Sequence, residues 1–195
     1  LYVDYFFGKE ASAEYVIGTR GGISNKKPII GQYDVNREGS SDMYSKGANL
    51  LHTIRQLAND DEVWRQTLRG LNREFYHSTV TTREIEEYMS KSIRMDLSKI
   101  FDQYLRDYRV PVFEYEIIDG ELNYRWNNVI DGFDMPVEVI IDGKNMQLYP
   151  TSEFKQIPIK NLYIKVDDDY YVFTKDLKII IAVSYTHLRA HETSQ

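Results

Sequence analysis

Residues 42–58 read DMYSKGANLLHTIRQLA, and this stretch decides the first half of the fold. Its apolar positions recur at the i, i+3, i+4 and i+7 spacing that places side chains on one face of an α-helix. Either Asp42 or Ser41 can cap the first turn, because both side chains accept hydrogen bonds from free backbone N–H groups. The pattern therefore predicts an amphipathic helix whose apolar face is formed by Met43, Gly47, Leu50, Leu51, Ile54 and Leu57.

Helix signals also lie on both sides of this stretch. Residues 1–16 mix apolar and charged positions at roughly helical spacing. Asn59 or Asp60 can cap the next helix, and Asp96 can cap a later one. Between them, Thr81–Glu84 has the T-x-x-E form of a capping box. We therefore predict four amphipathic helices with short connections, packed as a bundle-like layer.

The sequence pattern changes after residue 108. Short segments rich in β-branched and aromatic residues follow one another at the spacing typical of strands in a small β-sandwich. Asp-Gly pairs, which favour tight turns between strands, lie between or beside these segments. The predicted strands are Val112–Ile118, Leu122–Trp126, Met135–Ile141, Ile157–Val166 and Tyr170–Thr174, and the Asp-Gly pairs are 119–120, 131–132 and 142–143.

Together these patterns predict an α+β fold with two domains, a helical one at 1–108 and a β-sandwich at 109–182. Residues 183–195 read VSYTHLRAHETSQ, and the first eleven of them resemble the translation of a sequencing adapter. We expect this tail to be adapter read-through rather than a domain, the alternative being a C-terminal helix. Because position 1 is leucine and not methionine, we also expect the chain to be a piece of a longer protein.

Composition excludes several classes of function. The chain has 195 residues and a net charge of −6, which argues against a surface that follows nucleic-acid phosphates. No run of about 18 apolar residues occurs, so no transmembrane segment is predicted. Without cysteine there are no disulfides and no thiolate metal sites, and the compartment stays open.

Histidine and acidic residues give only weak signals of a site. His187 and His191 have the i, i+4 spacing of zinc ligands, but the second histidine of an H-E-x-x-H motif beginning at His191 would be residue 195, which is glutamine. His52 and His77 are isolated, with no carboxylate arranged for a triad. Residues 167–169 are three aspartates without the central glycine and terminal glutamate of a calcium loop, so we interpret them as a solvated turn.

Residues 42–55 resemble the stretch that follows the zinc site in the aminopeptidase N-type zinc metallopeptidases, a gluzincin family. In that family a Tyr-x-Lys-Gly motif opens a helix, and residues 44–47 match it. The resemblance continues in the same order to about residue 182. Its further segments are Asp60–Glu62 with Trp64, Phe75–His77, Thr81–Thr82, Phe101–Arg106 and Gly132–Val137.

The resemblance implies the α-helical C-terminal half of a thermolysin-like catalytic domain, followed by a small β-sandwich. It also implies that Tyr44 is the catalytic tyrosine of the family, which donates a hydrogen bond to the oxyanion of the tetrahedral intermediate. A phenol suits this role because it donates a hydrogen bond without carrying a charge at neutral pH. The implied substrate is a peptide that loses its N-terminal residue.

The zinc-binding motifs and the exopeptidase motif of this family are absent from the chain. It contains neither H-E-x-x-H, nor the glutamate ligand downstream of it, nor the G-x-M-E-N-type motif of the exopeptidases. Zinc catalysis needs three protein ligands and a general base. We therefore expect zinc in an intact parent protein, no metal or other cofactor bound by this piece, and no hydrolysis by this piece alone. The expected partner is the missing N-terminal half of the catalytic domain.

Two other functions fit the residues. One is a non-catalytic binding module, in which the helices and the sandwich serve protein association. The other is a carbohydrate-binding sandwich with an aromatic platform formed by Tyr124, Trp126 and Tyr149. Gly47 also has two interpretations: it lets neighbouring backbone approach the helix closely, or it is an ordinary interior glycine that costs about 1 kcal/mol relative to alanine.

Overall fold

The computed structural model describes residues 2–32, 38–160 and 163–178. It confirms the α+β class, because helices occupy the first half of the chain and strands the second. Within these ranges no helix combines the length and apolar character needed to cross a membrane. The helices are α1 (Tyr2–Phe7), α2 (Lys9–Gly18), α3 (Met43–Ala58), α4 (Asp61–Glu74), α5 (Thr82–Ile93) and α6 (Ser98–Phe101), with a 3₁₀ turn at Thr19–Gly22 and a π-helical turn at Asp102–Arg106.

Side-chain caps mark the predicted starts of α4 and α5, whereas the N-cap residue of α6 is Leu97 and not the predicted Asp96. The carboxylate of Asp60 accepts hydrogen bonds from the backbone N–H groups two and three residues later, at 2.8 and 3.1 Å. Thr81 and Glu84 form the predicted capping box, and Asp96 accepts a hydrogen bond at 2.9 Å two residues before the body of α6. The predicted N-terminal helix is split at Gly8, whose φ of 90° is not helical.

Helix α3 begins where predicted but buries a different face. Met43 and Leu51, predicted to lie in the core, are exposed, whereas the polar side chains of Lys46, Asn49 and Thr53 are buried. Each of these three has hydrogen-bond partners on distant segments, which is the condition for burying a polar group. The predicted apolar face is therefore wrong at Met43 and Leu51.

Seven strands follow the helices: β1 (Val112–Ile118), β2 (Glu121–Asn127), β3 (Val137–Ile141), β4 (Lys144–Leu148), β5 (Lys155–Pro158), β6 (Ile164–Val166) and β7 (Phe173–Asp176). They form two sheets with the strand orders β5-β2-β1-β7 and β4-β3-β6. Strand β7 is parallel to β1, and the other pairs are antiparallel.

The strand predictions differ most from the structure at three places. The strand predicted at 170–174 is β7, which begins only at Phe173 and continues to Asp176. The predicted strand 157–166 is divided between β5 and β6, which belong to different sheets. Strand β4 was not predicted, because its residues are mostly polar and four of the five are exposed. It pairs with β3 through the backbone across the Asp142-Gly143 turn, where both residues have the positive φ that a tight hairpin turn requires.

The sheets and the helices share one hydrophobic core. Trp126 of β2 is only 1% exposed, and its indole N–H donates a hydrogen bond of 2.9 Å to the carbonyl of Met135, just before β3. The ring of Phe133 packs edge-on against the indole, at 5.7 Å between centroids. Tyr104, in the π-helical turn, donates a hydrogen bond of 2.6 Å to the carbonyl of Tyr171 and so joins the helices to the strands. The domain boundary after residue 108 stays a prediction.

The aromatic platform for a carbohydrate is wrong. Tyr124 and Trp126 are buried, and of the three predicted platform residues only Tyr149 is exposed. Tyr124 and Trp126 occupy inward-facing positions of β2, which alternate with partly exposed ones along the strand. Their rings contribute to the core and offer no surface on which a sugar stacks.

Glu114, on β1, is a buried carboxylate with cations from both neighbouring strands. Arg125 of β2 and Lys175 of β7 each approach it to 2.8 Å, and Asn127 donates a further hydrogen bond at 2.8 Å. Burial alone raises the pKa of a carboxyl, but these three donors outweigh burial and lower the pKa of Glu114 to about 2. The charged form of Glu114 therefore stabilises the fold and links the edge strand β7 to the sheet.

We expect Glu114→Gln to lower the free energy of unfolding at pH 7 by about 2 kcal/mol. The folded-state pKa is depressed, so the stabilisation is fully present above the ordinary value of 4.5 and is lost as pH falls toward about 2. Urea unfolding from pH 7 to pH 2.5 measures the difference between variant and wild type, which should shrink with pH. Glu116→Gln on the same strand is the matched control, with an expected change under about 0.5 kcal/mol. A difference that does not depend on pH contradicts this account of Glu114.

Candidate functional site

Tyr44 lies in the first turn of α3, and its side chain is 78% exposed. Within the described residues its hydroxyl has no hydrogen-bond partner, so it is free to donate to a ligand. Gly47 and the exposed Leu51 follow at one and two helical turns on the same face. Apart from the two chain neighbours and the backbone of α3 itself, no described atom lies within 4 Å of a Cβ added at Gly47. The surface beside Tyr44 is therefore open.

The close approach predicted at Gly47 is wrong within the described part of the chain. Open space surrounds the position where a side chain would begin. Gly47 therefore corresponds to the other interpretation, an interior glycine of a helix. Its effect is to keep the face of α3 next to Tyr44 free of side chain.

Asp42 anchors the start of α3 to the loop after the 3₁₀ turn. Its carboxylate accepts hydrogen bonds from the backbone N–H groups of Ser24 and Asn25, at 3.1 and 2.8 Å, and from the Ser24 hydroxyl. Burial opposes ionisation of Asp42, but these donors outweigh it and hold its pKa below the ordinary value. The sequence predicted that Asp42 caps its own helix, but its carboxylate instead binds the backbone of the neighbouring loop and makes no capping hydrogen bond to α3.

Lys46 anchors the same turn to a different segment. Its side chain is fully buried, and Nζ donates hydrogen bonds to the backbone carbonyls of Asp107 and Tyr108, at 3.2 and 3.1 Å. Burial lowers the pKa of the ammonium group to about 8, although the carboxylates of Asp107 and Asp42 oppose this shift. The first turn of α3 is therefore attached to the segment that leads from the π-helical turn into β1.

Two further polar contacts hold the middle of α3. Asn49 accepts a hydrogen bond of 2.6 Å from Arg20, which also donates to the carbonyl of Asp168 at 2.8 Å. Thr53, one turn later, accepts a hydrogen bond of 3.0 Å from the backbone N–H of Tyr171. Thr53 thus contacts the segment between β6 and β7 directly, and Asn49 is linked to the same segment through Arg20. The helix that carries Tyr44 is thus fixed along most of its length.

His52 has a carboxylate partner that the sequence did not reveal. Its Nε2 lies 3.0 Å from Oδ1 of Asp169, so the ring N–H donates to the carboxylate. This hydrogen bond lowers the pKa of Asp169, and its effect outweighs that of burial, which raises the pKa. The isolated histidine and the fully solvated turn were both wrong interpretations, and no local pattern relates residues 117 positions apart. The imidazole is buried, so the pair is a further contact between α3 and the turn before β7.

No group of three metal-ligating side chains occurs in residues 2–32, 38–160 and 163–178. His77 follows the C-terminal end of α4, apart from the His52–Asp169 pair. His187 and His191, with the predicted adapter tail, lie outside the described residues. The described part of the chain therefore does not fit a zinc site, and the absence of bound cofactor stays a prediction.

An open groove of about 830 Å³ lies between α1 and α4. The exposed rings of Tyr2, Tyr5 and Phe6 form one side, and Leu68 and Arg69 lie on the other. None of the residues that line this groove belongs to α3, so the groove is separate from the surface around Tyr44.

Comparison with known proteins supports the fold. Neither protein-family models nor curated proteins match the chain. Among solved structures, the chain is similar to Legionella pneumophila aminopeptidase A in complex with aspartic acid, with a TM-score of 0.56 and 12% identity. The similarity covers 88% of this chain and 22% of that one, so this chain spans about a fifth of the length of the aminopeptidase. At this level of identity, the similarity concerns the fold alone.

Proposed function

We propose that the chain is part of a zinc-dependent aminopeptidase and that Tyr44 acts in its catalytic site. The observation that carries this proposal is the placement of Tyr44, an exposed phenol in the first turn of a helix that buried polar contacts hold in place. The ordered series of family-like segments and the similarity of fold to an aminopeptidase support it. The proposed substrate is a peptide with a free N-terminus.

Tyr44 has the chemistry to stabilise a developing negative charge. When a nucleophile adds to the scissile carbonyl of a peptide, the carbonyl oxygen becomes an oxyanion, and a donor already in place stabilises it without reorganisation. The Tyr44 hydroxyl is such a donor, because it is free of partners in the described structure and lies on a fixed helix. Removing one donor of this kind lowers kcat by roughly 10²–10³-fold.

The described residues contain no group of three side chains that could hold a metal ion. In this proposal the metal is held by another part of the parent protein, the N-terminal half of the catalytic domain. The chain described here would then supply the oxyanion donor and the helices on which that half packs. We propose no step that passes through the metal.

A second candidate is a non-catalytic module for protein association. The exposed rings of Tyr2, Tyr5, Phe6 and Phe7 on α1 favour it, since so many aromatic side chains on a six-residue helix are typical of a contact surface. In the aminopeptidase proposal, other parts of the parent cover these rings. In both candidates the aromatic rings of α1 contact another polypeptide segment, so the two candidates differ only in whether the protein is a catalyst.

The test of the proposed function is peptide hydrolysis by the full-length protein that carries this chain. We expect release of N-terminal residues from peptides with a free amine, no reaction with N-acetylated peptides, and loss of activity after chelation that added zinc restores. A purified, folded full-length protein that cleaves no peptide with or without zinc would rule out the aminopeptidase and leave the association module.

A further inference from the structure

Lys46 is the most deeply buried charged side chain near Tyr44, and the proposed function does not use it. Its side chain has no solvent-exposed surface, and its two hydrogen bonds go to backbone carbonyls, not to a carboxylate. It lies two residues after Tyr44, within the same turn of α3. The turn that presents Tyr44 is therefore attached directly to residues 107–108.

Burying an ammonium group is a costly way to stabilise a helix. Removing a charge from water is unfavourable, and an apolar side chain of similar volume is often as stabilising or more so. What the ammonium provides is directional contact, because its donors reach two successive carbonyls of one segment at 3.1 and 3.2 Å. Such contacts specify position more than they add stability.

The segment that Lys46 contacts is itself well held. Asp107 forms an ion pair of 2.8 Å with Arg109, and Gln103 donates a hydrogen bond of 2.9 Å to the Arg109 carbonyl. Val110 then enters the core just before β1. Residues 107–108 are thus held by hydrogen bonds to the π-helical turn, and Lys46 attaches the first turn of α3 to them.

We propose that Lys46 is a positioning residue for Tyr44, which holds the first turn of α3 at the distance from residues 107–108 that places the phenol for the oxyanion. The catalytic part of this inference, the placement of the phenol for the oxyanion, rests on the proposed function. The attachment of the turn is a property of this chain alone and is measurable without activity.

The catalytic experiment compares Lys46→Met with Thr53→Val in the full-length protein. Both variants remove a buried polar contact of α3, but Thr53 lies more than two turns from Tyr44 and contacts a different segment. We expect Lys46→Met to lower kcat by roughly 10- to 100-fold with little change in KM, because a misplacement of about 1 Å costs rate and not binding. Thr53→Val should lower stability while keeping kcat. An equal kcat in wild type and Lys46→Met, or an equal loss of kcat in both variants, would overturn the inference.

A rescue variant covers the case in which Lys46→Met folds poorly. This chain contains no cysteine, so the thiol of Lys46→Cys in the 195-residue protein is alkylated selectively with 2-bromoethylamine before refolding. The product has a side chain of nearly lysine length that ends in an ammonium group. The backbone N–H of residue 46 donates a hydrogen bond of 2.7 Å to the Asp42 carbonyl, which protects it from exchange with solvent. This protection against hydrogen exchange should fall at least tenfold in the unmodified cysteine variant and return after alkylation.

Hydrogen exchange separates the inference from the proposed function. If the full-length protein hydrolyses no peptide, the proposed function fails, but loss and recovery of protection at residue 46 still support the attachment role of Lys46. If protection is the same with cysteine, alkylated cysteine and lysine at this position, the positioning role is contradicted whatever the activity.

Discussion

Replacing Tyr44 with phenylalanine in the full-length protein is expected to lower kcat roughly 10²–10³-fold, with KM within about twofold of wild type. The substitution removes one hydroxyl and leaves the ring, so it removes the donor while keeping the contacts of the helix. Because the side chain is exposed and its hydroxyl has no partner within the described residues, the melting temperature and the metal content should stay nearly the same. Steady-state kinetics on a peptide with a free N-terminus measures the effect.

Tyr15→Phe is the matched control for this substitution. Tyr15 lies on α2 and is exposed to a similar degree, 66% against 78% for Tyr44. It lies outside the segments of the sequence that resemble the aminopeptidase family, so its hydroxyl should not affect turnover. Wild-type turnover in Tyr44→Phe, or an equal loss in both variants, refutes the assignment of Tyr44.

The largest expected effect on stability is that of Trp126→Ala. Truncating a buried aromatic side chain costs about 3–5 kcal/mol, and leaving the Met135 carbonyl without its donor adds about 1–3 kcal/mol. Since small domains are stable by only about 5–15 kcal/mol, we expect the variant to be largely unfolded at room temperature or to unfold at much lower urea concentration. Urea titration followed by circular dichroism measures the change.

Two companion variants identify the cause of this loss. Trp126→Phe keeps much of the packing against Phe113 and Phe133 but removes the indole N–H, so it should lose about half as much stability or less. Tyr163→Ala removes an exposed aromatic ring from the β-region and should change stability by under about 0.5 kcal/mol. Trp126→Ala with near-wild-type stability would contradict the view that this indole links the two sheets.

The capping box and the first strands were predictable because their signals are local. Thr81 and Glu84 are three residues apart, and each satisfies a backbone N–H of the same turn. Strand β1 coincides with its predicted range, Val112–Ile118, since a short β-branched and aromatic run directly precedes an Asp-Gly turn. Within these elements the sequence contains both the pattern and the residues that complete it.

The buried face of α3 was not predictable from its own residues. Lys46, Asn49 and Thr53 are polar, and only their partners make burial favourable. Those partners lie at residues 107–108, in the N-terminal helices and between β6 and β7. Likewise, β4 was missed because a hairpin strand with exposed side chains depends on its neighbour's backbone and not on an apolar pattern.

For the candidate site, the sequence indicated which tyrosine is functional, and the structure showed which contacts hold the helix turn that carries it. Tyr44 was singled out by resemblance alone, since 16 tyrosines occur in the chain and composition distinguishes none of them. The structure adds that Asp42 and Lys46 fix the turn on which it lies, and that Gly47 leaves the neighbouring surface open. The pairing of His52 with Asp169 had no sequence signal, because it depends on the path of the chain between α3 and β7.

The most direct test of the role of Tyr44 is its contribution to binding a transition-state analogue. A phosphinic peptide analogue has a tetrahedral phosphorus whose oxygen stands in for the oxyanion, whereas the amino-acid product has none. In the full-length protein, Tyr44→Phe should lower the affinity for the analogue by roughly 10²–10³-fold and leave the affinity for the product nearly unchanged. Equal affinity of wild type and Tyr44→Phe for the analogue would contradict the claim that this phenol stabilises the oxyanion.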